Sequence, residues 1–172
     1  MKKTMMFLFA SLFAMQLSAE NKFVGVNTCV CHNMDKLGKQ VTVWKGTKHA
    51  DAYNVLKTPK AAEFAKAKEI KGSPADAKEC LECHSTGLGK DTDKTFKIDQ
   101  GVQCEACHGA ASAYKPIHNK PENHEKAVAA GLTLAKGDEK LCKTCHVSKM
   151  HAVKAFDYKK MWDVIKHPKP KA

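Results

Sequence analysis

The chain has 172 residues and carries 29 lysines, no arginine and 18 acidic side chains, giving a net charge of +11 with neutral histidines. Without guanidinium groups it lacks the usual tool for pairing to guanine and phosphate. Its aromatics are also too few and scattered for a base-stacking platform, so the basic charge does not point to nucleic acid.

Residues 1–19 read as a secretory signal peptide. Lys2 and Lys3 make a basic start, Met5 to Leu17 is almost wholly apolar, and Ser18-Ala19 offers a small-residue cleavage site. The apolar run is shorter than the about 20 residues that a spanning helix needs. The expectation is an exported, periplasmic protein that does not span the membrane once the signal is removed, with residues 20–172 as a single domain.

In chain order, Phe23 to Asn33 is an entry segment that ends in Cys29-Val30-Cys31-His32. Val43 to Leu56 has helical periodicity, weakened by Gly46. Thr58-Pro59 caps a helix expected to stop at Gly72, and Ser73-Pro74 starts another that runs through Cys80 and Cys83. Gly87 to Asp99 is a polar loop, and Cys104-Glu105-Ala106-Cys107-His108 follows it. Pro121 or Glu122 opens a helix ended by Gly131. Gly137-Asp138 caps the helix bearing Cys142 and Cys145, and Asp157 to Ile165 forms the last helix before His167-Pro168. The fold class is therefore mainly α: helices and long loops with little or no sheet.

All eight cysteines fall into four clusters, each followed by a histidine. Three are complete C-x-x-C-H motifs ending at His84, His108 and His146, the pattern of covalent c-type haem attachment. Two thiols at that spacing add to the two vinyl groups of one haem, and the adjacent histidine reaches the iron as proximal ligand. Disulfides are permitted in an exported chain, and paired C-x-x-C motifs also make zinc sites. Neither explains a histidine after every pair. The first cluster has one residue fewer between its cysteines. It leaves open two strained thioethers, a single thioether through Cys31, or no haem; a bound haem with His32 on the iron is the favoured outcome, making four haem c groups in all. Haem planes would supply the core that the loops wrap, and their propionates would balance much of the lysine excess. Five further histidines, His49, His118, His124, His151 and His167, make bis-histidine ligation the expected pattern, in preference to Met34, Met150 or Met161.

The segments VGVNTCVCH, WKGTKHADAYNVL, CLECHSTG, GVQCEACHG and MWDVIKHPKP, in that order, resemble the tetrahaem cytochrome c-554 family. That family has a complete C-x-x-C-H at its first site, from which this chain departs by one residue. The resemblance implies a helical fold around closely packed haems. It also implies that His49 ligates the third haem, His118 the first and His167 the fourth, leaving the second five-coordinate. His124 and His151 match no position of the family, and either is available to fill that vacancy.

Two functions follow as expectations. The first is an electron carrier between redox partner proteins whose acidic docking surfaces complement the lysines. The alternative is a small nitrogen-oxide reductase acting at an open-coordinate second haem.

Overall fold

The computed structural model describes residues 21–134, 137–146, 150–151 and 156–168. The signal-peptide expectation for residues 1–19 lies outside them. Among the described residues about half are helical, and the only β-type pairing is an isolated bridge between Phe23 and Thr92. The mainly α class holds. No described helix is long and apolar enough to cross a membrane.

The described residues form seven α-helices linked by 3-10 turns and loops: α1 Gln40–Lys45, α2 Pro59–Ala67, α3 Lys78–His84, α4 Glu105–His108, α5 His124–Ala129, α6 Glu139–His146 and α7 Tyr158–Ile165. Their starts follow local chemistry. Thr58 accepts a hydrogen bond from the Ala61 amide with Pro59 in the first turn of α2. The Asp138 carboxylate accepts from the Lys140 amide ahead of α6, and Asp157 from the Lys160 amide at α7.

Three expected helices are shorter than their patterns suggest. The stretch from Val43 to Leu56 is not one helix. The α1 helix ends at Lys45 against Gly46, turns follow, and a 3-10 helix spans Asn54–Lys57. The α2 helix ends before Gly72, because Glu69 turns left-handed at φ 56 and lets the Ile70 amide donate back to the Ala65 carbonyl. The Ser73-Pro74 signal closes a turn rather than opening α3. The Asp76 and Ala77 amides both donate to Ser73, and the helix starts at Lys78.

The apolar core is small and divided. One cluster gathers Leu56, Ala75, Ala77, Cys80 and Leu81; the other gathers Val24, Ala111, Tyr114 and Ala127. Cavities of about 300 and 240 Å³ lie beside the cysteine motifs. A chain with this little buried hydrocarbon depends heavily on polar cross-links.

The strongest of those are built by Gln103 and Glu105, both buried. The Glu105 carboxylate accepts from the amides of Val24, Gly25 and Ala111 at 2.7–3.1 Å. Gln103 accepts from the Val26 amide at 2.8 Å, donates through its side-chain amide to the Lys97 carbonyl at 2.8 Å, and gives its backbone N–H to Thr86 Oγ1 at 2.7 Å. The two residues flanking Cys104 thus tie the third cluster to the segment leading into the first, and to the end of the second.

Replacing Glu105 with glutamine keeps its volume but removes the charge and turns an N–H donor towards backbone N–H groups. Charge-assisted hydrogen bonds contribute about 1.5–3 kcal/mol each, so Glu105→Gln should lower stability by roughly 2–4 kcal/mol in denaturant titration. Glu122→Gln, at an exposed position, should leave the midpoint unchanged. Equal midpoints for the two variants would refute the cross-link.

Candidate haem sites

Each complete motif sits on a helix whose last residue is the motif histidine: His84 on α3, His108 on α4 and His146 on α6. One helical turn separates the paired cysteines, so both thiols lie on the face from which the histidine projects. The first cluster uses a 3-10 helix, Val30–Asn33, preceded by Cys29. At three residues per turn, its two cysteines diverge, with Cys31 exposed and Cys29 partly buried. No disulfide joins any of the eight cysteines. Among the described residues no three potential ligands converge as a zinc ion requires.

Every motif histidine meets a second imidazole. The ring centroids of His32 and His118 are 5.9 Å apart, with the planes 9° from parallel. His146 and His49 are 5.9 Å apart, His84 and His151 5.8 Å, and His108 and His167 6.0 Å. None of these pairs is hydrogen-bonded ring to ring among the contacts of the described residues. Two imidazoles on opposite sides of one metal, with metal–nitrogen bonds of about 2.0 Å, place their centroids about 6 Å apart. The spacing fits an iron between the rings and leaves the intervening plane for a porphyrin.

Hydrogen bonding on the outer side of the rings fits the same group. The Nδ1–H groups of His84, His108 and His118 donate to the carbonyls of Ala52 at 2.7 Å, Thr133 at 3.0 Å and Lys115 at 2.7 Å. His167 Nδ1 donates to the Pro168 carbonyl at 3.2 Å, and His32 Nδ1 to Gln40 Oε1 at 3.3 Å. An oxygen acceptor at Nδ1 fixes the proton there and leaves the Nε2 lone pair for a metal. Burial lowers the pKa of His32, His49, His108, His146 and His151 from the usual histidine value, which favours the neutral ring that ligation requires.

The rings of His49 and His167 adjoin motif histidines other than those the resemblance pairs them with. The backbone of His49 does lie beside the third cluster, since its carbonyl accepts from the Val102 amide at 2.9 Å. Gly101, at φ 69, permits that approach, because a Cβ there would stand 2.5 Å from the His49 carbonyl oxygen. The His49 ring nevertheless meets His146 of the fourth cluster. His167 meets His108 of the third cluster, not His146. Its neighbour Pro168 accepts at 3.1 Å from Gln40 Nε2, and Gln40 also contacts His32, so the His167-Pro168 segment is drawn to the first and third sites. His118 stands where the resemblance implies, opposite His32, with Tyr114 edge-on to its ring. His124 is exposed at the start of α5. Of the methionines, Met34 and Met161 are exposed.

The clusters also touch one another. The Cys29 and Cys104 thiols hydrogen-bond; this contact and burial push the Cys104 thiol up, while the bond lowers that of Cys29 to about 7. Burial and a hydrogen bond to Cys145 push Cys83 up to about 12. Cys107 lies within electrostatic reach of Cys142 and Cys145. The 300 Å³ cavity is bordered by Glu82 and Cys83, Glu105 and Ala106, and Thr144 and Cys145, one pair from each complete motif.

The comparisons agree with these residues. The family model for cytochrome c554 and c-prime matches residues 28–109, a stretch holding the first three clusters. Cytochrome c-554 of Nitrosomonas europaea is 31% identical over 158 residues, covering 82% of this chain. The chain belongs to the cytochrome c-554 family. It spans 64% of the length of that relative, and no solved structure matches it. Membership implies haem c as cofactor, and the paired imidazoles and cysteine motifs fit that group.

Sequence reasoning missed the roles of Gln40, Gln103 and Glu105. The last two were visible only as residues flanking a cysteine, with no periodic or motif signal of their own. Gln40 gives the most direct check on how the rings are held. A hydrogen bond from Nδ1–H makes an imidazole a stronger donor to its metal and favours the oxidised state. Gln40→Leu should therefore raise the reduction potential of one haem in spectroelectrochemical titration and leave the others unchanged. An unaltered titration would argue against Gln40 as the residue that orients His32.

Proposed function

We propose that this protein is an exported tetrahaem c-type cytochrome that passes electrons between redox partners. The haem c groups would be held by Cys80 and Cys83, Cys104 and Cys107, Cys142 and Cys145, and at the first cluster by Cys31 with or without Cys29. When bound, they supply one-electron cycling of iron. The chain's contribution is to place the sites close together and to fix an imidazole on either side.

The observation that carries this reading is the pairing of motif histidines with histidines remote in sequence, His32 with His118, His108 with His167 and His146 with His49. A carrier gains from saturated ligation, since its iron then changes oxidation state with little rearrangement, whereas a substrate needs an open position. The thiol contacts support a relay in the order first, third, fourth, second cluster, which differs from the order in sequence. The lysine-rich surface fits acidic partner proteins, whose weak encounters would be salt-sensitive.

The mass of the mature protein tests this reading. Four covalent haems and loss of residues 1–19 are expected, with reversible reduction of every iron; three haems would remove the first cluster from the account. Because the Cys31 side chain is exposed and that of Cys29 is turned to Cys104, Cys31→Ala should release the first haem. Cys29→Ala should retain it if a single thioether suffices.

A further inference from the structure

We propose that His151 is the sixth ligand of the second haem, closing the iron site built on His84 to exogenous ligands. The assignment rests on the haem reading above and departs from the five-coordinate second site that the family resemblance implies.

Four observations converge on it. The His84 and His151 centroids are 5.8 Å apart, the separation found at the other three sites, although these rings come from unrelated stretches of chain. The His84 Nδ1–H is committed to the Ala52 carbonyl at 2.7 Å, so only Nε2 is free to coordinate. Phe64 of α2 stacks on the His151 ring at 4.8 Å with the planes 21° apart, and this contact sets the ring's orientation. Both imidazoles line the 240 Å³ cavity, whose other walls include Leu56, Phe64, Pro74 and Cys80. Apart from the two rings, Thr58 and Lys60, the lining is apolar, as suits a porphyrin face.

A histidine packed on Phe64 for stability alone would have no reason to keep the spacing of the other pairs. The contact between Cys83 and Cys145 brings the second and fourth clusters together independently of either ring. A residue shortly after His146 then needs only a short return to reach the second site. His151 and His124, the other candidate for this position, are both exposed, but among the described residues only His151 brings its ring against His84. Closing this iron removes the coordination position on which reduction of a nitrogen oxide would depend.

The test uses the full-length protein matured with its haems. Electron paramagnetic resonance of the oxidised parent should show low-spin irons only, and the reduced parent should bind no carbon monoxide. In His151→Ala one iron in four should leave the bis-histidine signal, and about one equivalent of carbon monoxide should bind; added imidazole should restore the parent spectrum. His151→Met should keep that iron low-spin and raise its potential alone, because thioether ligation favours the reduced state. His124→Ala should match the parent. A high-spin iron already present in the parent, or unchanged signals in His151→Ala, would overturn the assignment. A parent mass lacking the haem at Cys80 and Cys83 would instead overturn the haem reading, and this assignment with it.

Discussion

The constraint on which the structure depends is the need to bring imidazoles from distant parts of the chain face to face at about 6 Å. Four such pairs form, and they cross-link the entry segment, α1 and the turns after it, the loop before α5, and the chain end. The other long-range attachments are mostly polar, such as those of Gln103, Glu105 and Gln40. Its apolar clusters consist largely of alanine, valine and leucine, and among fully buried large side chains the described residues show only Gln103. With so little hydrocarbon removed from water, hydrophobic burial by protein alone is weak. Haem planes between the paired rings would complete the core.

The buried polar cross-links complement that arrangement. Glu105 and Gln103 bind backbone amides of Val24, Gly25 and Val26, which fixes the first cluster against the third before any ligand is considered. Such groups are costly unless every hydrogen bond is made, and here the carboxylate is met by amides on three residues. Gln40 acts similarly between His32 and Pro168. The geometry of the sites is therefore carried by side chains that hold no cofactor themselves.

The sequence made some of this readable and left the rest hidden for physical reasons. The C-x-x-C-H motifs, and the helix starts at Thr58-Pro59, Asp138 and Asp157, are local devices, so spacing and capping chemistry suffice to find them. Helix ends proved harder. The left-handed turn at Glu69 and the break at Gly46 depend on surrounding contacts more than on propensity. The distal partners are harder still, because a histidine's destination is set by where its segment packs. His49 illustrates this: its backbone adjoins the third cluster while its ring reaches the fourth. The ring of His118 lies opposite His32, while the His167-Pro168 segment, hydrogen-bonded to Gln40, sets His167 beside His108.

A crystal structure of the haem-loaded protein, with irons located by anomalous scattering, tests the ligand pairing most directly. Each iron is expected between the two nitrogens of one pair: His32 and His118, His84 and His151, His108 and His167, His146 and His49. An iron held by His108 on one side and His49 on the other would contradict it.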